Sequence, residues 1–336
     1  MRASLAELLS AGRTLLADGA TGTNYFERGL GAGDPPEFWN LDHPDKVRTL
    51  HQQFVDAGAD IILTNTFGCN RHRLKLHKAE GRVYELAKRA AEIACEVADA
   101  SPRPIVVAGS VGPTGELFEP LGALTESAAV ESFGELAQGL KDGGADIAWI
   151  ETMSAAEEIR AAATGALQAG LPYTVTCSFD TAGRTMMGLM PGDLFHVFDG
   201  LGEPPVAIGA NCGVGASELI ATVMGITAAR PDIAVVAKGN CGVPQYHDGH
   251  IHYTGTVELM ADYARIALDA GARIIGGCCG TSPEHLASMR RSLEGYTRGP
   301  RPTLELVETK LGPVSALAKG VDTAAEGAAR RERRRG

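Results

Sequence analysis

Short runs of β-branched and apolar residues recur along the 336-residue chain, each breaking off in a loop rich in glycine or polar residues. They are TLLADGATG from Thr14, ADIILTNTFG from Ala59, PIVVAGSVG from Pro104 and ADIAWIETM from Ala145, then YTVTCSFD from Tyr173, PVAIGANCG from Pro205, AVVAKGNCG from Ala234 and ARIIGGCCG from Ala272. Between them, segments such as DKVRTLHQQFVDAG and TVELMADYARIALDAG place apolar residues at three- and four-residue steps and close on glycine. That is the pattern of amphipathic helices with C-terminal caps. Strands that alternate with helices imply right-handed crossovers and a parallel sheet. Eight such units predict a closed (β/α)8 TIM barrel in preference to an open doubly wound sheet. Three strands open alike, GADII at Gly58, GADIA at Gly144 and GARII at Gly271, as a repeated unit requires. No G-x-G-x-x-G follows the first strand, so dinucleotide binding gains no support.

Two stretches fall outside the pattern. The first βα connection runs from Gly19 to about Pro44 and carries Tyr25, Phe26, Phe38 and Trp39; its length at that end of a strand predicts a lid or substrate-facing loop. Residues 1–300 are expected to form the barrel and 301–336 a C-terminal extension whose Arg-rich end, ARRERRRG, reads as a solvated, disordered tail. The chain has 31 Lys and Arg against 41 Asp and Glu, a net charge of −10, which speaks against a nucleic-acid partner. No apolar run approaches the ~18 residues of a membrane span. The opening MRASLAELLSAGRTLL lacks the apolar core and cleavage pattern of a secretory signal, so a cytoplasmic location is expected. Seven cysteines at unequal spacing do not read as a disulfide framework.

Barrel enzymes build their sites at the C-terminal ends of the strands. Those ends here carry Asp18, Asn65 and Thr66, Ser110, Glu151, Asp180, Asn211 and Cys212, Asn240 and Cys241, and the adjacent Cys278 and Cys279. Three thiolates with room for one more ligand make a zinc site kept open for chemistry. Cys212 with Cys278 and Cys279 is one such set; NCG also occurs at Asn240, so Cys241 competes for membership. Adjacent strand residues point to opposite faces, so both sulfurs of the pair reach one metal only if the backbone turns, as Gly276, Gly277 and Gly280 permit. A vicinal disulfide or buried structural thiols are the competing readings. Zinc on three thiolates carries a net charge of −1, which suits alkyl transfer to a substrate thiolate better than water activation. Asp18 and Glu151 can hold the ammonium group of an amino-acid substrate, and the backbone amides of Gly19–Ala20 and Ser110–Gly112 its carboxylate.

DGATGT at Asp18, TNTF at Thr64, GSVGPTGE at Gly109, GANCGVG at Gly209 and IIGGCCGT at Ile274 closely resemble the homocysteine S-methyltransferase family, over about Leu15 to Leu293. The resemblance is strongest to its bacterial betaine-dependent members and extends to the homocysteine-binding module of cobalamin-dependent methionine synthase. It implies a zinc (β/α)8 barrel that methylates homocysteine to methionine, with Cys212, Cys278 and Cys279 as ligands and Cys241 outside the set. It further implies that Asp18 and Glu151 are the catalytic pair holding the amino-acid end, with Gly19, Thr66, Ser110 and Asn211 around them. Asn240 falls where relatives have an Asn that fills the metal's fourth site before substrate arrives. Betaine is the expected donor, and the sequence leaves room for an oligomer without fixing its size. A trimethylammonium group calls for an aromatic cage. Animal betaine-dependent members have aromatics where this chain has Gly68 and Thr152, so Tyr25, Phe38 or Trp39 would have to supply it. The alternative is the homocysteine-activating subunit of a split methionine synthase whose methylcorrinoid rides on a separate protein. DGHIHY at Asp248 departs from the corrinoid-binding D-x-H-x-x-G pattern by placing Tyr253 where Gly is needed.

Overall fold

The computed structural model describes residues 3–247 and 250–315. Asp248, in the near-corrinoid motif, and the Arg-rich tail lie outside the described residues. Eight parallel strands form the barrel: β1 (Leu15–Leu16), β2 (Ile61–Leu63), β3 (Val106–Val111), β4 (Ile147–Met153), β5 (Tyr173–Cys177), β6 (Ala207–Cys212), β7 (Val235–Gly239) and β8 (Ala272–Gly277). Each pairs in parallel with its neighbours, β8 returns to β1, and a parallel bridge between Ala17 and Ile61 closes the ring. All eight predicted strands are present. Gly58, Gly144 and Gly271 have φ of +104°, +95° and +105°, so the three similar strand openings share one left-handed step from helix into strand, where a side chain would be strained.

Alternation along the strands sorts the interior from the outer ring. Leu15, Ala17, Ile61, Leu63, Val106, Ala108, Ile147, Trp149, Val236 and Ile274 fill the inside of the barrel. The N-terminal helix Leu5–Ser10, held by a Ser4–Glu7 capping box, buries Leu5 and Leu8 against them. Their outward neighbours pack beneath the helices, among which are Pro44–Asp56, Val83–Ala100, Glu126–Asp142, Ala156–Gln168, Ala216–Ala229, Val257–Asp269 and Pro283–Leu293. The β5–β6 crossover has only a 3-10 segment, Pro191–Phe198, in place of a full helix. The beginning of the C-terminal extension belongs to the outer layer: Leu304–Leu311 packs on Ala216–Ala229 and Val257–Asp269 and buries Val307 and Leu311. No helix among the described residues is long and apolar enough to cross a membrane.

The first βα connection is partly built into the core. It folds into short helices, Gly22–Phe26 and Trp39–Asp42, joined through the 3-10 turn Pro36–Phe38. Tyr25 is fully buried and packs against Trp39, itself 6% exposed, with ring centroids 5.1 Å apart and planes tilted by 48°, so both rings serve the core. Burial of large aromatic surface gives a long loop a fixed shape.

Candidate metal and substrate site

The strand tops bring three thiols together. The sulfurs of Cys212, Cys278 and Cys279 lie within 4.8 Å of one another, and Cys241 is outside the group. The expected backbone turn at the vicinal pair is present. Cys278 N–H still bonds Gly239 O at 2.7 Å, after which Thr281 N–H closes back on Cys278 O at 3.1 Å, with Gly280 at φ +77°. Cys212 sits at φ +60°, a left-handed conformation uncommon outside glycine. Asn240 bridges the elements: its Nδ2 donates to Gly213 O at 2.8 Å and lies 3.7 Å from Cys212 Sγ, while Oδ1 accepts Cys279 N–H at 3.1 Å. Cys241 is 1% exposed, and a Cβ at Gly255 would meet its sulfur at 2.6 Å, which marks it as a packing residue.

Without a cation, hydrogen bonds of opposite sign among the three sulfurs, together with burial, leave all three thiols above their ordinary value. The hydrogen bond with Cys212, followed by burial, pushes the Cys278 thiol up to about 12. For Cys279 the bond with Cys212 works downward, but its bond with Cys278 and burial carry it to about 12. A trio of soft sulfur donors within 4.8 Å of one another suits Zn2+. None of the seven cysteines is in a disulfide, so the disulfide reading gains no support.

Beside the sulfurs lies a polar layer. Glu151 is 8% exposed and accepts Ser110 Oγ at 2.5 Å; burial raises its pKa, against the pull of Lys238 and Ser110. A left-handed Thr152, at φ +63°, breaks the β4–β5 register just after Glu151. Thr152 is locked to Asn211 by bonds of 2.8 and 2.7 Å, and Asn211 also accepts Thr176 Oγ1 at 2.7 Å. Thr66 Oγ1 bonds Thr64 Oγ1 at 2.6 Å and donates to Ser110 O at 2.7 Å. Gly19 lies hard against Thr281 O and the Phe54 ring, where a Cβ would clash at 2.5 and 2.9 Å.

Three features depart from the sequence reading. Asp18 is already ion-paired, its Oδ1 2.8 Å from Lys238 Nζ and its Oδ2 accepting Leu63 N–H at 2.7 Å. The amides of Ala20, Ser110 and Gly112 donate within the protein, to Thr281 O, Thr64 Oγ1 and Phe67 O, and are therefore committed before any carboxylate arrives. The first-loop aromatics are engaged with internal cations: Lys46 Nζ lies 4.3 Å over Trp39, and the Arg82 guanidinium 5.8 Å over Phe38. Two residues have roles at the site that the sequence did not suggest, Tyr253 having stood out only for its place in the near-corrinoid motif. Tyr253 hydrogen-bonds Cys279, and its ring lies over Gly280, where a Cβ would clash at 2.4 Å. Lys238 hid in an otherwise apolar strand, and a charge inside AVVAKGN was the available signal. A wide groove of about 800 Å3, lined by Leu9, Tyr173, Val206, Ala234 and Arg273, opens at the opposite end of the barrel and shares no residue with the sulfur cluster.

A family model described as homocysteine S-methyltransferase matches residues 15–293, the whole barrel. The chain belongs to the homocysteine S-methyltransferase family. Two methionine synthases are related to this family member. That of Mycobacterium leprae is 30% identical over 323 residues, covering 91% of this chain and 26% of its own length. That of Mycobacterium tuberculosis is 30% identical over 305 residues, covering 86% of this chain and 25% of its own. The chain thus spans about a quarter of these relatives. In fold it is similar to the Escherichia coli homocysteine methyltransferase MmuM in its metallated form, with a TM-score of 0.71 at 24% identity, covering 85% of this chain and 98% of that one.

Proposed function

We propose that this methyltransferase makes methionine from homocysteine, with Cys212, Cys278 and Cys279 holding Zn2+. The gathering of three sulfurs within 4.8 Å at the mouth, with Cys241 left out, carries the reading. Zinc bound there supplies a Lewis acid of net charge −1 that keeps a substrate thiol in its nucleophilic thiolate form. The protein's own groups bind and orient. Glu151, fixed by Ser110, takes the substrate ammonium, and Asp18 supports it from within its pair with Lys238. Asn211 holds the Thr152 turn and, with Nδ2 3.8 Å from Cys278 Sγ, keeps that sulfur aimed. Asn240 ties the Cys212 turn to Cys279, so the ligand set is organised before metal arrives.

The proposed donor is a small onium compound such as betaine. The aromatic surface for it comes from Phe67, 37% exposed beside Gly112, and Tyr253, in place of the buried Tyr25 and Trp39. A second reading, methyl delivery from a corrinoid on a separate protein, is favoured by the mycobacterial relatives and by the exposed apolar loop residues Met186, Met187, Val214 and Val243. The test is methionine formation by zinc-loaded and chelator-stripped protein with betaine, S-methylmethionine or methylcobalamin as donor. Turnover with betaine that vanishes on stripping supports the first reading. Turnover only after adding a corrinoid protein supports the second, and undiminished turnover by stripped protein overturns the zinc site.

A further inference from the structure

On β7 the side chains alternate, Val236 inside the barrel and Val235 and Ala237 outside, so position 238 falls inside, one layer above Val236. The lysine there is 2% exposed and is the only buried Lys or Arg among the described residues. Its Nζ donates to Asp18 O at 3.0 Å and Asp18 Oδ1 at 2.8 Å, and Glu151 and Cys278 act on it from β4 and the end of β8. Burial alone would favour neutral Lys238, but Asp18 and then Glu151 outweigh it and keep the ammonium charged. The other titratable groups nearby add no cation. Tyr263, on the helix behind β7, accepts the Gly239 N–H at 2.9 Å as a neutral phenol, and burial holds His51 and Tyr25, beyond Asp18, uncharged.

A buried ion pair is costly, and an apolar pair of similar volume is often at least as stable. The position of this one gives it a use. Three thiolates on a divalent cation carry −1, a substrate thiolate brings the group to −2, and Glu151 adds its own charge. The product's thioether sulfur is neutral. Unpaired, Asp18 would oppose the anionic sulfur and leave the thioether indifferent. We propose that Lys238 is a positioning residue that, by holding Asp18 in a neutral pair beneath the three-cysteine cluster, biases the site toward an anionic sulfur ligand and so toward substrate over product. This rests on the zinc-thiolate reading above.

The experiment is calorimetric titration of zinc-loaded wild type, Lys238→Met, Asp18→Asn and the double variant, each with homocysteine and with methionine. The two ligands share ammonium and carboxylate, so losses at those groups cancel in the ratio of affinities. Lys238→Met is expected to lower the homocysteine-to-methionine ratio about tenfold, Asp18→Asn to raise it, and the double variant to lie near wild type. A ratio indifferent to the substitutions, or shifted alike by both, overturns the proposal. Should Lys238→Met fail to fold, Asp18→Asn still decides by its opposite sign. A wild type that takes up neither zinc nor homocysteine overturns the functional reading and this inference together, whereas one that binds both with an unresponsive ratio overturns this inference alone.

Discussion

Two aspartates stitch the same seam of the barrel from its opposite ends. Asp60, just before β2, accepts Leu16 N–H at 2.9 Å; Asp18, just after β1, accepts Leu63 N–H at 2.7 Å. Their backbone task is the same and their counter-ions are not. Asp60 faces Arg13, Arg103 and Arg290, all partly exposed, so water shares in neutralising it. Asp18 has one partner, Lys238, sealed inside with it. A carboxylate served by several wet arginines secures the fold and tolerates the loss of one partner. A carboxylate served by one dry lysine fixes the local charge to the unit, which matters where a ligand's charge changes during reaction. The end beneath Asp60 is apolar and plugged by Leu5 and Leu8, whereas the end around Asp18 is polar and carries the sulfurs.

The largest expected effect breaks the sulfur end alone. Cys278→Ser should abolish zinc retention in dialysed protein and reduce methionine formation by about a thousandfold or more, whereas Cys241→Ser should keep one zinc per chain; elemental analysis with the methyl-transfer assay checks both. Next comes acid stability. Burial lowers the pKa of His51 from 6.5 to about 4. The unfolded chain therefore gains a proton below pH 6.5 that the folded chain refuses until about 4, and stability falls with pH across that window by about 3 kcal/mol. Urea denaturation at several pH values should show this slope, and His51→Gln should flatten it. The smallest effect sharpens the contrast of the two aspartates. Asp60→Asn keeps an acceptor for Leu16 and leaves exposed arginines to water, so it should cost only about 1–2 kcal/mol of stability, with homocysteine affinity unchanged. Asp18→Asn, by comparison, should alter ligand preference.

Much of this was legible in the residues. The strands announced themselves because buried parallel strands demand continuous β-branched runs, and the helices because their glycine caps recur. The thiols were legible because chemistry on a barrel concentrates at strand ends. The β5–β6 crossover was less so, since Pro191–Phe198 is apolar enough to pack without completing a helix. Tyr25 and Trp39 misled because aromatic residues in a long loop serve either substrate or packing, and only the three-dimensional neighbours, Lys46 among them, distinguish the two. The committed amides of Ala20, Ser110 and Gly112 were invisible because backbone donors leave no mark in sequence.

Two of the three sulfurs hang from one tight turn after β8, while the third rises from β6 with β7 running between them. A cation gripped by all three would act as a cross-brace over β7, fastening non-adjacent staves of the barrel at their open ends. Asn240, already tied to both the Cys212 turn and Cys279, would share that load.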